Sequence, residues 1–340
     1  MQQSTIKPLL STRKLSVGYW ARKSRLEVLG NLNLVINPGE LISFIGPNGC
    51  GKSTLIKSLI GLIPSLEGAI FFKDENLDHI SFLQRAERIG VVLTDPVYER
   101  NMSVLELVSM GRYPHTNWLG RLTSADLKVV HDSIQKVGLV HKAGSRLGEL
   151  SDGERQRAMI SRVLAQDVDM IILDEPTAHL DLSNRMEVLL LLKKLAHEMG
   201  KGVLLSTHEL GLALQVSDKI WMVGPDQQLM SDIPEAFIYN GTLDKVFGNE
   251  KISFQPWSAS FEITTDKEKR IVVIGMGLLQ ACVVRLLKRL GYTVLYNETE
   301  KVPTVEVNED SQEIRMITPQ TKTFNSIHVF QEYLIQQNPA

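Results

Sequence analysis

The segment Gly46-Pro47-Asn48-Gly49-Cys50-Gly51-Lys52-Ser53-Thr54 fits the pattern G-x-x-x-x-G-K-S/T. It follows the apolar run Leu41–Ile45 and opens an apolar helical segment. Strand, loop and helix in that order suit one task, the cradling of a polyphosphate. Glycines let the backbone turn so that successive N–H groups face one anion, and the helix adds its positive end. Lys52 supplies a mobile cation for β- and γ-phosphates, and the Ser53 hydroxyl is placed to meet Mg²⁺.

A second cluster lies downstream. Met170–Leu173 is apolar and ends in Asp174-Glu175. The run Val203–Ser206 leads through Thr207 to His208. Ligands of open α/β sheets gather at the carboxyl ends of strands. Asp174 is therefore a candidate Mg²⁺ ligand, direct or through water, and Glu175 a candidate general base. His208 is placed to orient a γ-phosphate, an attacking water and Glu175. A lone acidic pair is more often a solvated turn, and a lone histidine is more often structural. Joint placement downstream of a phosphate loop favours the functional reading. His115, His131, His141, His179 and His197 receive no role.

These groups need elements to position them. Leu41–Ile45, Gly90–Leu93, Met170–Leu173, Val203–Ser206 and Ile220–Val223 are short and apolar and read as buried strands. Thr123, with Asp126 three residues on, reads as a helix start, followed by Leu127, Val130, Ile134 and Val137. Ser183 reads as an N-cap and Gly200 as a helix stop. The alternation predicts an α/β fold with a mostly parallel sheet.

Composition narrows the class. Of 340 residues, 43% are hydrophobic and 22% charged, as in an ordinary globular protein. The 37 basic against 39 acidic residues leave a net charge of −2, so no long-range attraction to nucleic acid is expected. Two cysteines, Cys50 and Cys282, make no disulfide framework and suggest a reducing compartment. Residues Met1–Ser4 lack a secretory pattern. Val188–Leu192 and Ile271–Val284 fall short of the roughly 18 apolar residues a spanning helix needs. Any work at a membrane is expected to go through a separate spanning partner.

Leu150-Ser151-Asp152-Gly153-Glu154-Arg155-Gln156-Arg157 resembles the Leu-Ser-Gly-Gly-Gln signature of ATP-binding cassette proteins. Asp152 and Glu154 depart from the usual Gly and Gln, while Ser151 and Gly153 are kept. Tyr19 matches the aromatic residue that stacks on adenine, Asp181 the loop that crosses the dimer interface, and His208 the switch histidine. The resemblance spans residues from about 12 to 225. It implies a phosphate-loop NTPase cassette with a mostly parallel sheet, an antiparallel N-terminal β subdomain and a helical subdomain at about 95–160. Thr94 stands where the family usually carries a Gln that reaches Mg²⁺, and it keeps only a hydroxyl.

The resemblance also implies partners. In the family, Ser151 and neighbouring N–H groups face ATP on another cassette. One loop and one signature per chain imply a second copy. Met110-Gly111-Arg112-Tyr113-Pro114-His115 resembles ATPases of iron-siderophore, haem and cobalamin importers. That implies an ATPase on the cytoplasmic face of the membrane, transmembrane permease subunits, and a substrate-binding protein reached through them. A soluble cassette ATPase of DNA repair would carry a long coiled coil between Thr54 and Leu150, and none is patterned there. A translation-type protein usually carries two cassettes. A nucleotide-sensing module is the remaining rival, set against Glu175 and His208.

Residues 1–250 read as this main domain, and 251–340 as a small appended α/β unit. The stretch from Ser258 to Lys269 is polar and charged. Arg270–Ile274 reads as a strand, followed by a helix to Leu290, Gly291 as a stop, and a strand at Tyr292–Tyr296. Gly275 and Gly277 give a G-x-G, but Gln280 stands where a dinucleotide site needs a third glycine.

Overall fold

Every residue of Leu41–Ile45, Met170–Leu173 and Gly202–Ser206 is buried. Strands covered on both faces must read as unbroken apolar runs, because neither face meets water. The computed structural model describes residues 7–21, 24–93, 100–117, 120–256, 258–263, 269–296 and 302–337. It separates into two compact units. One is Met1–Val246 with Pro256–Ser260; the other is Phe247–Gln255 with Phe261–Ala340.

In the first unit the central sheet has six strands among the described residues. Their order is Leu229–Asp232, Lys219–Val223, Leu41–Ile45, Gly202–Ser206, Met170–Leu173 and Ile89–Val92. All neighbours are parallel except the first pair. The strand period of two sorts an apparently uniform sequence onto two faces. Ile42, Phe44, Ile172 and Leu204 join the core that includes Leu55, Ile56 and Trp221. Leu41, Ile171, Leu173, Val203 and Leu205 join the other, with Ile160, Val163, Val188 and Leu192.

A second, antiparallel sheet places Leu10–Ala21 between Ser24–Leu32 and Glu67–Phe72. The helices Val104–Ser109, Ser124–Lys136 and Asp152–Ala165 each begin with a capping box. The boxes are Ser103 with Glu106, Thr123 with Asp126, and Ser151 with Glu154. Each box satisfies two backbone donors that a helix start would leave orphaned.

One expected cap is corrected. Asp181, not Ser183, caps the helix Leu182–His197, accepting a hydrogen bond from the Asn184 N–H at 2.8 Å. Ser183 is already inside the first turn. Gly200 takes φ 67°, the left-handed conformation that suits a glycine just beyond a helix end.

Among the described residues the second unit holds a five-stranded sheet. Its order is Thr293–Leu295, Arg270–Ile274, Thr304–Asn308, Glu313–Ile317 and Lys322–Phe324, parallel over the first three and antiparallel beyond. The helices Leu278–Arg289 and Ile327–Gln337 cover a core of Ile271, Val273, Val283, Leu287, Val305, Ile314, Phe330 and Leu334. Within the stretch read as polar, Ser260–Ile263 forms a strand against Ile252–Gln255. Residues 264–268 lie outside the described residues.

The Gly275-Met276-Gly277 turn has an internal occupant. The Leu279 N–H donates to the Glu309 carboxylate at 2.8 Å. The helix start that would meet a dinucleotide's phosphates in such a fold thus faces a carboxylate of its own chain.

Candidate functional site

Phe44 pairs with Ser206, Leu205 with Leu173, and Leu173 with Val92, all in parallel register. The loops that follow three of these strands therefore leave the same edge of the sheet. They carry the phosphate loop, the Asp174-Glu175 pair and His208.

The phosphate loop runs from buried Gly46 to the helix Lys52–Leu59. Gly49 and Gly51 have φ 79° and 101°, backbone that other residues rarely adopt. Lys52 is 6% exposed, and its Nζ donates to the Gly46 carbonyl at 2.8 Å and to that of Pro47 at 3.1 Å. The ammonium is thus held over the loop's own entrance. Pro47, Asn48, Gly49 and Ser53 are exposed, and Cys50 is half-buried. The Tyr19 hydroxyl lies 2.9 Å from Thr54 Oγ1, so the N-terminal sheet is tied to the end of the loop. Tyr19 as a whole is 44% exposed.

Asp174 is 7% exposed, and its Oδ1 accepts a hydrogen bond from Ser206 Oγ at 2.6 Å. The same Ser206 Oγ accepts the Glu175 N–H at 2.9 Å. One buried hydroxyl thus fixes both acids. Glu175 has φ 50°, a left-handed conformation costly for a side-chain-bearing residue. Its Oε1 lies 2.6 Å from His208 Nε2. That is hydrogen-bond distance, with the direction set by the imidazole tautomer. Glu175, Thr177, His179, Arg185, Thr207, His208 and Glu209 border a cavity of about 180 Å³. Thr94 lies outside the described residues.

Ser151 is the N-cap of Asp152–Ala165; its Oγ accepts the Glu154 N–H at 3.2 Å. Glu154 Oε2 accepts the Ser151 N–H at 2.9 Å. The Ser151 N–H is the leading reason the Glu154 carboxyl is held below its usual range. A Cβ on Gly153 would collide with the Asn184 side chain, so only glycine lets the two helix starts approach. The signature helix also reaches the acids: Asp152, Arg155 and Gln156 share a second cavity of about 150 Å³ with Asp174 and Glu175.

Three contributors escaped the sequence reading. Ser206 looked like the last residue of a buried strand. Arg185 donates from Nε to the Leu180 carbonyl at 2.6 Å and pairs with Glu209. It therefore ties the loop before Asp181 to the residue after His208. In Met110–His115, Arg112 joins Asp126 at 2.9 Å and donates to the Ala165 carbonyl, also at 2.9 Å. His115 Nε2 lies 2.8 Å from the Gln166 carbonyl. This segment clamps the far end of the signature helix. Along the chain this segment carries only its resemblance; in the fold a Cβ on Gly111 would strike the Arg162 carbonyl.

A family model described as ABC transporter matches residues 29–178. An uncharacterized ABC transporter ATP-binding protein of Methanocaldococcus jannaschii is 34% identical over 289 residues, covering 84% of this chain and 98% of that protein. A match of 289 residues exceeds the first 250, so it includes part of the C-terminal unit. The iron(3+)-hydroxamate import ATP-binding protein of Bacillus subtilis is 35% identical over 61% of this chain and 76% of its own length. Among solved structures, an inward-facing ABC transporter described as of the metal-chelate type aligns with a TM-score of 0.61. Its identity is 28%, covering 75% of this chain and 95% of that one.

Proposed function

Because this chain belongs to the ABC transporter family, as an ATP-binding subunit whose ATP hydrolysis is coupled to transport, we propose that it powers import of a chelated metal. The cargo class follows the hydroxamate-import relative and the metal-chelate type transporter. The observation that carries the catalytic reading is the Glu175–His208 pair, 2.6 Å apart beside the phosphate loop's strand edge. Among the described residues no helix is long and apolar enough to cross a membrane. Separate permease subunits therefore form the path, with this chain at the cytoplasmic face and a substrate-binding protein delivering cargo.

In this reading the backbone N–H groups from Gly49 to Ser53, with Lys52 Nζ, hold the triphosphate, and Tyr19 lies against the base. Ser53 and Asp174 offer hard oxygen donors, an exposed hydroxyl and a strand-end carboxylate. A set of two protein oxygens completed by phosphates and waters suits Mg²⁺. Bound there, Mg²⁺ supplies charge neutralisation of the phosphates.

His208 holds one Glu175 oxygen, and the other takes a proton from the attacking water. The water oxygen bonds to the γ-phosphorus as its bond to the bridging oxygen breaks, leaving ADP and phosphate. Ser151, Gly153 and Asp181 meet the nucleotide of a second copy. ATP thereby joins two chains, and its hydrolysis lets them part.

E175Q tests the assignment. The variant should bind ATP as the parent does while turnover falls roughly 10²- to 10⁴-fold, the usual worth of a general base. Parental turnover would remove Glu175 from that role. Capture of the permease from native membranes by the tagged chain tests the transport assignment.

A further inference from the structure

The signature segment carries two carboxylates, Asp152 and Glu154, where the family pattern is uncharged. Both are answered within the chain. Asp152 Oδ1 meets Arg155 Nη1 at 2.9 Å, and Glu154 Oε1 meets Lys142 Nζ at 3.5 Å. Lys142 comes from the short turn Val140–Lys142, outside the signature helix. Its side chain is 33% exposed and that of Glu154 only 19%, so the pair is partly sheltered.

We propose that Lys142 is a positioning residue of the ATP-driven dimer. It neutralises Glu154 and keeps that carboxylate on the Ser151 N–H, so the signature can approach a partner's triphosphate without like-charge repulsion. This rests on the reading that Ser151 faces the nucleotide of a second copy.

Unlike charges offset one another over a few ångströms, and an unpaired carboxylate repels a polyanion over about a Debye length of roughly 8–10 Å. Glu154 cannot escape by taking up a proton near neutral pH, since the Ser151 N–H holds its carboxyl low. Only a cation can cancel it. Arg155 cannot serve both acids. Its guanidinium is spread over Asp152 and the Leu147 and Leu150 carbonyls, which shape the loop before Ser151.

The test uses the full chain in an E175Q background, where ATP is bound without turnover. Light scattering after size exclusion reads the MgATP concentration that gives half dimer. K142M should raise it roughly two- to fivefold, the range of a surface charge pair, and high salt should shrink the effect. In an E154Q background, where the cap acceptor stays and the charge goes, K142M should shift it less than 1.5-fold by the same reasoning. An equal shift in both backgrounds would make Lys142 a mere brace for the helix start and overturn the proposal, as would no shift in either. S151A separates the two levels. If S151A dimerises like its parent, the underlying dimer reading falls. If S151A fails to dimerise while K142M has no effect, only the role of Lys142 falls.

Discussion

Replacing Ser206 with Ala removes one oxygen that serves both acids of the site. Ser206 is fully buried, so water cannot take its place. Its Oγ donates to Asp174 at 2.6 Å and accepts the Glu175 N–H at 2.9 Å. A hydrogen bond to a charged group contributes about 1.5–3 kcal/mol, and an orphaned buried donor costs about 1–3 kcal/mol. The two losses share one atom and are not additive, so S206A should destabilise the fold by roughly 2–4 kcal/mol. For a domain of this size that lowers Tm by roughly 5–15 °C.

Catalysis should suffer separately. Glu175 stands at φ 50°, and Ser206 is the side chain that anchors its backbone there. Freed from that anchor, the carboxylate wanders by a fraction of an ångström or more. Such misplacement lowers kcat by roughly ten- to a hundredfold. Affinity for ATP without Mg²⁺ should hold, because Lys52 and the phosphate loop do not bond to Ser206. Thermal unfolding, steady-state hydrolysis and a nucleotide titration below the variant's Tm read the three quantities independently. Parental Tm together with parental kcat would refute the view that Ser206 holds the pair.

K52A should weaken ATP binding itself by at least roughly tenfold, read by calorimetric titration, because a cation on the phosphates is lost. D126N should lower Tm at pH 7, since Asp126 serves both the Thr123 cap and Arg112. Bonds from the Thr123 hydroxyl and N–H, then from Arg112, hold that carboxyl at about 2 against an ordinary 3.8. A lowered value in the folded state stabilises above the unfolded value and is lost as pH falls. The gap between parent and D126N should therefore persist down to about pH 4 and close toward pH 2 in acid unfolding curves. G153A should destabilise by about 1–3 kcal/mol through collision with Asn184, and N184A should relieve part of that in a denaturant titration.

Much of the first unit was legible in the linear chain. The runs at Leu41–Ile45 and Met170–Leu173 are bounded by punctuation and match the strands residue for residue. The Thr123–Asp126 cap was readable because both partners are local. Equally good boxes at Ser81, Ser103 and Ser151 have the same spacing of three but escape a reading centred on apolar periodicity. Ser183 misled because a serine inside the first turn resembles a cap, and the choice between it and Asp181 depends on where the chain turns. Arg112 and His115 lie in a stretch that the linear chain marks by resemblance alone. Their partners, Asp126, Ala165 and Gln166, lie 14 to 53 residues away.

The sequence by itself determined which groups could do chemistry: a glycine-bent loop with Lys52, two acids after an apolar run, and a histidine after the next. Those are short-range facts, set by residue type, spacing and backbone preference. Tertiary structure alone decided that a hydroxyl from one strand locks both acids of its neighbour. It also decided that Arg185 ties two loops together and that Lys142 answers Glu154. Such contacts arise where parallel strands and separate helix starts come side by side, and periodicity along one segment holds no information about what packs against it.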